Sequence, residues 1–205
     1  LLRGMYAFII YDKKRDEVIL GRDEFGIKPL YFSLMKNGIA FCSETKPIVS
    51  LKKSIPNINV GKLFEYMQLQ YSSGTETLYE GIQRVAPGQI LVIKRGKIIK
   101  SFLSSFTQKK KSINDAELIA SLDKSLRESV SSHLRSDVPY CIFFSGGIDS
   151  MLLLHYVRQL KKENVTAYSI FFDEDTSKSL EKIIQTYNVD LVKVKFSEDD
   201  FWNWI

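Results

Sequence analysis

Ser145-Gly146-Gly147-Ile148-Asp149-Ser150 places two hydroxyls, two adjacent glycines and one carboxylate within six residues. These residue types suit a polyphosphate. Glycines let the backbone turn sharply and bring its N–H groups close to a ligand. Ser145 and Ser150 add hydroxyls, and Asp149 offers a hard oxygen to Mg²⁺, the usual companion of phosphate oxygens. The apolar run Tyr140-Cys141-Ile142-Phe143-Phe144 enters the loop as a strand, and a helix over residues 151–161 leaves it. A helix start adds unpaired N–H groups and a positive dipole end, both favourable to an anion. No Gly-Lys-Ser/Thr follows, so this is not the Walker arrangement. A Gly-rich turn with no ligand is the alternative; the agreement of strand, loop, acid and helix outweighs it.

The elements around the loop alternate. Residues 114–134 predict a helix, because Leu118, Leu122, Leu126, Val130 and Leu134 recur every four residues. Asn114 is placed to cap it, Glu117 to complete a capping-box-like pair, and Ile113 and Leu118 to form a hydrophobic staple. Beyond the loop helix come a strand at 165–172, a helix near 177–187 and a strand at 190–196. Strand–helix alternation predicts a parallel sheet covered on both faces, with ligands beyond the carboxyl ends of the strands. Residues 1–106 read instead as β-rich. Strands at 5–11 and 18–21 flank a polar turn. Those at 30–34 and 39–42 flank Lys36-Asn37-Gly38, and those at 90–93 and 97–99 flank Arg95-Gly96, both hairpin signals. Leu63, Phe64, Met67 and Gln68 predict one short helix over 61–70. A polar break at 107–112 separates the halves.

Composition narrows the function. At 205 residues, 44% hydrophobic and 26% charged, the chain suits one large or two small globular domains. No apolar run approaches the roughly 20 residues of a membrane span, and no signal-peptide pattern opens the chain. Cys42 and Cys141 sit in apolar runs and read as buried, reduced thiols of a cytoplasmic protein; no spacing suggests zinc. The net charge of +5 is scattered, and Lys109-Lys110-Lys111 reads as a solvated linker rather than a nucleic-acid patch.

The loop resembles the PP-loop of ATP pyrophosphatases. With Ser132-His133-Leu134-Arg135-Ser136-Asp137-Val138-Pro139 before it, the second half resembles the synthetase domain of glutamine-dependent asparagine synthetases. The first half carries the resemblance independently. Arg3-Gly4-Met5-Tyr6-Ala7-Phe8 is similar to that family's Gly-Met-Phe-Ala-Phe strand. Gly21-Arg22-Asp23-Glu24-Phe25-Gly26-Ile27-Lys28-Pro29-Leu30-Tyr31 resembles its Arg-Asp-x-x-Gly-x-Lys-Pro-Leu-Tyr segment. Phe41-Cys42-Ser43-Glu44, Thr77-Leu78-Tyr79-Glu80-Gly81-Ile82 and Val85-Ala86-Pro87-Gly88 follow in the family's order.

The resemblance implies an α+β part of an N-terminal-nucleophile glutaminase fold at 1–106. A linker at 107–114 leads to the start of an α/β PP-loop domain at 115–205, of the adenine nucleotide α-hydrolase type. It implies an amide-forming ligase: glutamine hydrolysis supplies ammonia, ATP activates aspartate as an adenylate, and ammonia displaces AMP to give asparagine. Ser145, Gly146, Gly147, Asp149 and Ser150 are then the nucleotide contacts, Asp149 the Mg²⁺ ligand, and Ser169 a contact near adenosine. ATP, aspartate, and glutamine or ammonia are the implied small-molecule partners; neither nucleic acid nor membrane is implied, and a homodimer is left open. Two other readings stand beside this one: a PP-loop adenylating enzyme without a glutaminase, and a non-catalytic homologue. The chain opens at Leu1, without the family's N-terminal cysteine, and ends on Phe201-Trp202-Asn203-Trp204-Ile205. It reads as a central fragment, inactive alone and lacking the glutaminase nucleophile and the adenylate-binding residues. Position 151 is Met where the family often has a second serine.

Other chemistry-bearing residues read as structural. Arg22, Asp23 and Lys28 are expected to shape the fold, and Glu44 to end a strand or meet an interface. His133 and His155 are expected to be non-catalytic, Asp173, Glu174 and Asp175 to form a solvated turn, and Phe201, Trp202 and Trp204 to pack into a core that this fragment lacks.

Overall fold

The computed structural model describes residues 2–36, 38–52, 54–104, 114–161, 164–172, 180–181, 184–187 and 189–203. The chain divides into two compact units, residues 1–109 and 110–205.

The first unit is built on antiparallel pairing. Strands β1 (Ala7–Asp12), β2 (Glu17–Arg22), β6 (Gln89–Lys94) and β7 (Lys97–Leu103) form one sheet in the order β1-β2-β6-β7. Strands β3 (Tyr31–Met35), β4 (Gly38–Cys42) and β5 (Gln83–Arg84) form a second, β4-β3-β5. The expected hairpins form. Met35 pairs Gly38, and Lys94 pairs Lys97. Arg95 (φ +46°) and Gly96 (φ +71°) are both left-handed, as a two-residue hairpin turn with the strands' own twist requires. A Cβ on Gly96 would also lie 2.4 Å from the Met35 carbonyl oxygen, so this turn needs glycine twice over. The core gathers Leu20, Leu30, Phe32, Val85, Leu91 and Ile93 from both sheets. Helix α2 (Val60–Leu69) is capped by the Asn59 side chain, which accepts from Lys62 N at 3.2 Å. The short helix α1 (Thr45–Ser50), with Pro47 in its first turn, was not expected from the sequence.

One loop of this unit is wired with unusual completeness. Arg22 donates from Nε to Lys28 O (2.8 Å), from Nη1 to Val85 O (2.7 Å) and from Nη2 to Gly26 O (2.5 Å). Asp23 accepts from the backbone N–H of Phe25 (3.2 Å), Ile27 (2.9 Å) and Lys28 (2.9 Å). One buried guanidinium thus collects the carbonyls of Gly26, Lys28 and Val85, and one buried carboxylate collects amides of the 25–28 turn. The structural reading of both residues holds.

The second unit is a parallel sheet, β10-β9-β8, from β8 (Cys141–Phe143), β9 (Thr166–Phe171) and β10 (Asp190–Lys195). Helix α3 (Asp115–His133) precedes it, with Asn114 Oδ1 accepting from Glu117 N at 2.9 Å as the capping pattern predicts. Helix α4 (Ile148–Leu160) joins β8 to β9, residues 180–181 and 184–187 are helical, and α5 (Glu198–Asn203) follows β10. Val130, Ile142, Phe144, Leu154, Val157, Ala167, Leu180 and Ile184 share one core.

Two expectations need correction. The sheet is covered on one face only among the described residues. Strands laid down in the sequential order 8-9-10 place both connections on the same side when each crossover has the usual right hand. Leu154, Leu180 and Ile184 accordingly share one core, while Phe143, Tyr168, Ile170, Val192 and Val194 on the other face are exposed. The thiols also differ from the buried pair expected. Both are free; Cys42 is half-buried and Cys141 is exposed, because strand alternation turns Cys141 with Phe143 away from the helices that bury Ile142 and Phe144.

Candidate functional site

The 145–150 loop lies beyond the carboxyl end of β8, where a parallel sheet presents ligands. Phe144 N donates to Tyr168 O at 2.8 Å, extending the β8–β9 pairing to the last residue before the loop. Gly146 then turns the chain with φ +77°, and Gly147 occupies the N-cap of α4 with no side-chain cap. Met151 N bonds Gly147 O at 3.0 Å, the first bond of the helix. The amides of Ile148, Asp149 and Ser150 therefore stand at the helix start without intrahelical acceptors.

The side chains hold the turn rather than cap the helix. Ser150 Oγ donates to Gly147 O at 2.9 Å and meets Ser145 Oγ at 3.3 Å; Ser145 Oγ also receives a long 3.4 Å bond from Gly147 N. Ser150 is buried and Ser145 is exposed. Asp149 is exposed, and no hydrogen bond or ion pair to its carboxylate is recorded among the described residues. The sequence motif thus becomes one compact constellation of two linked hydroxyls, a free carboxylate and a row of outward amides. Met151 packs against the core.

Gly146 is needed for space as well as angle. A Cβ there would lie 2.4 Å from Leu180 Cδ2 and in the left-handed region, whereas one on Gly147 (φ −74°) would find nothing nearer than Ser145 Oγ at 3.5 Å. Gly146→Ala is expected to lower stability by roughly 1–3 kcal/mol, the range for a strained non-glycine residue, and to weaken nucleotide binding. Gly147→Ala should keep the fold. Paired thermal melts and nucleotide titrations check this; equal effects of the two changes would contradict the assigned turn.

Ser169 lies on β9, one residue past Tyr168, on the face shared with Ala167 and Phe144. It is 1% exposed, and its Oγ has no hydrogen-bond partner among the described residues. A buried hydroxyl without a partner is uncommon in a folded protein. Its placement beside the strand that feeds the loop could not be read from Ser169 alone; it follows from the parallel register of Phe143 with Tyr168.

The donor set bears on a metal. No group of three or more His, Cys, Asp or Glu side chains that could hold an ion occurs among the described residues. A single exposed carboxylate beside the amides of a helix start suits Mg²⁺, which binds through one or two carboxylates plus phosphate oxygens and waters rather than in an all-protein cage.

The other candidates make contacts of their own. His133 Nδ1 lies 2.8 Å from Ser129 O, and His155 Nε2 lies 2.7 Å from the Gln159 side-chain nitrogen, both along their own helices. Glu44 is the N-cap of α1 without a side-chain bond. Phe201 and Trp202 pair edge to face, with centroids 5.2 Å apart, and both are exposed, their core lying outside this chain's described residues as expected. Asp173, Glu174, Asp175, Trp204, most of the 107–114 linker and the lysine run at 109–111 lie outside the described residues. A polar tie the sequence did not reveal links α3 to α4. Tyr156 OH donates to Asp123 at 2.9 Å, and Arg127 stands 5.8 Å from the Tyr156 ring centroid.

Two family models match in sequence: the glutamine amidotransferase domain over residues 1–106, and asparagine synthase over residues 121–205. The chain belongs to the asparagine synthetase family, joining a glutamine amidotransferase segment to an asparagine synthase segment. It is 34% identical over 176 residues to asparagine synthetase [glutamine-hydrolyzing] 1 of Bacillus subtilis (strain 168), covering 84% of this chain and 27% of that protein. It is 27% identical to a putative asparagine synthetase [glutamine-hydrolyzing] 2 of Methanocaldococcus jannaschii, over 98% of this chain and 42% of that one. Amidase chry2 of Gibberella zeae is 26% identical over 97% of this chain and 32% of its own length. The chain thus spans about a quarter to two fifths of the length of these relatives. A solved glutamine phosphoribosylpyrophosphate amidotransferase from B. subtilis overlaps 94% of this chain and 48% of its own, at 14% identity and a TM-score of 0.30, too loose to establish a shared fold. No helix among the described residues is long and apolar enough to cross a membrane.

Proposed function

We propose that this chain is part of a glutamine-dependent asparagine synthetase, and that the 145–150 loop binds the phosphates of ATP. Residues 1–106 then belong to the glutaminase domain and 115–205 to an adenine nucleotide α-hydrolase-like synthetase domain, joined by the 107–114 linker. The observation that carries this reading is the loop itself: three amides without intrahelical acceptors, two linked hydroxyls and an unpaired Asp149 at the carboxyl end of a parallel strand.

In this reading the β-carboxylate of aspartate attacks the α-phosphorus of ATP. The bond to the bridging oxygen breaks, and pyrophosphate leaves. Ammonia from glutamine then attacks the acyl carbon, AMP departs with the C–O electron pair, and the nitrogen loses a proton. A free carboxylate is a poor acyl donor, and adenylation supplies the leaving group. The chain's share of the first step is electrostatic. The amides of Ile148, Asp149 and Ser150 receive the charge that builds on the departing pyrophosphate. Ser145 and Ser150 fix the turn that aims these amides. Asp149 would hold Mg²⁺, which supplies charge neutralisation on the phosphate oxygens. Ser169 Oγ, without a partner among the described residues, spends its hydrogen bond near adenosine. ATP, aspartate, and glutamine or ammonia are the partners, and the cytoplasm is the compartment.

Pyrophosphate–ATP exchange tests the reading on the full-length protein. Exchange that requires aspartate and proceeds without glutamine is expected, because the adenylate forms before nitrogen enters. Exchange absent with aspartate and every other common amino acid would sink it.

A further inference from the structure

A cavity of about 440 Å³ opens in the first unit, well away in sequence from the phosphate loop. Four tyrosines line it: Tyr31, Tyr66, Tyr71 and Tyr79. Its one charged lining residue is Arg84. Tyr66 and Tyr71 are exposed, and Tyr31 and Tyr79 are half-buried. No hydrogen bond to any of the four hydroxyls is recorded among the described residues.

The walls are set in place by the backbone. Helix α2 ends at Gln70, whose φ of +61° reverses the chain after Tyr66 and carries it through Tyr71 to Gly74. Arg84 holds that return. Its Nη1 donates to Ser72 O (2.9 Å) and Gly74 O (3.1 Å), and its Nη2 to Ser72 Oγ (3.1 Å). Glu65 grips the same turn, accepting from Ser73 N at 2.9 Å. The bond from Lys62 first, and those from Ser73 next, push the Glu65 carboxyl down to about 2, so the grip persists through neutral and mildly acid pH.

The charge of Arg84 is unanswered. Its guanidinium lies 5.5 Å from the Tyr31 ring centroid, stacked rather than paired with an acid, and it makes no ion pair with a carboxylate among the described residues. A second guanidinium is close enough to feel it: burial first, and Arg84 next, lower the proton affinity of Arg22. With Nη1 doubly bonded and Nη2 singly bonded, Nε–H and one Nη2–H have no partner among the described residues, donors of the kind a carboxylate accepts.

We propose that this cavity binds an aromatic carboxylate, its ring against the tyrosines and its carboxylate on Arg84. The volume falls in the range of small-molecule pockets, roughly 300–1,000 Å³. Phenol faces accept a planar ring edge-on or offset, and the free hydroxyls serve polar ring substituents. The site is drawn wholly from the first unit and does not depend on the ATP reading of the loop.

Ligand-observed NMR on the full-length protein tests it with 4-hydroxyphenylacetate, acetate, cyclohexylacetate and AMP. Saturable binding of 4-hydroxyphenylacetate in the millimolar range or tighter is expected, with acetate and cyclohexylacetate at least about tenfold weaker. Tyr66→Ala removes an exposed ring without touching the loop's bonds. It should weaken the aromatic acid about tenfold or more and leave asparagine formation unchanged. Arg84→Lys keeps the charge, loses the fork, and should weaken it as well. Asp149→Asn should not affect it. No saturable binding up to about 10 mM, or affinity unmoved by Tyr66→Ala, would overturn the proposal. So would AMP binding that survives Asp149→Asn and is lost in Tyr66→Ala, which would assign the cavity to a nucleotide.

Discussion

Asp149→Asn is expected to cut pyrophosphate release by about 100-fold or more while leaving the protein folded. The two effects separate by magnitude. Asp149 is exposed and has no recorded protein partner, so structurally the change removes only a favourable charge in the first turn of α4, about 0.3–1 kcal/mol. A 100-fold loss of rate corresponds to roughly 2.7 kcal/mol of transition-state stabilisation. Asparagine keeps the size of the side chain and one oxygen, but not the charge that would hold a metal against pyrophosphate. Steady-state pyrophosphate release by the full-length variant, set beside its melting temperature, measures both. A near-normal rate would remove the metal-ligand role from Asp149 and leave the amides as the whole cradle.

Asp23→Ala should be among the most destabilising changes in the first unit, by about 3 kcal/mol or more. Three backbone N–H groups converge on a carboxylate that is 1% exposed, and each donor left buried without a partner costs roughly 1–3 kcal/mol. Asparagine should rescue little, because its NH₂ group would face donors. The wild-type pH dependence follows from the same contacts. Burial alone would raise the Asp23 carboxyl, but the backbone donors, those of Lys28 and Ile27 foremost, outweigh it and hold it below its ordinary value. A depressed carboxyl stabilises the folded state above the unfolded value, near 3.9. That stability is lost as pH falls through the folded value. Urea midpoints at pH 7 and pH 3 should therefore differ for wild type and differ less for Asp23→Ala. The probe should be circular dichroism, because Trp202 and Trp204 both belong to the second unit. An unchanged midpoint in Asp23→Ala at pH 7 would mean that the loop's wiring does not hold the unit.

Local rules carried far in some places and stopped short in others. The pairings of Met35 with Gly38 and of Lys94 with Lys97 and the cap at Asn114 depend on neighbours in sequence, and each forms as read; the strand–loop–helix at 145–150 forms too, but its helix begins at Ile148 rather than at 151. The four-residue leucine spacing found α3 but overstated its burial. Val130 is buried and Leu126 and Leu134 pack on the core, while Leu118 and Leu122 are exposed. Periodicity reports which face is apolar and says nothing of how far the covering element extends. The exposed sheet face has the same origin: alternation in a strand is the same whether its second face is covered or open, and only strand order decides. Leu180 against Gly146, Ser169 beside Phe144 and Arg84 on Tyr31 join residues 34, 25 and 53 positions apart, with no signal in composition or spacing. Within the loop, sequence alone identified the hydroxyls and the acid; their mutual bond at 3.3 Å and the unpaired state of Asp149 needed coordinates.

The nucleotide products formed with asparagine test the central claim most directly. With ATP, aspartate and glutamine, the full-length protein should release AMP and pyrophosphate, each in one-to-one proportion to asparagine, because a loop that cradles the departing pyrophosphate serves cleavage at the α-phosphorus. ADP and inorganic phosphate in that proportion, with no AMP, would contradict the account, since the same amides would then be serving transfer of the terminal phosphoryl group.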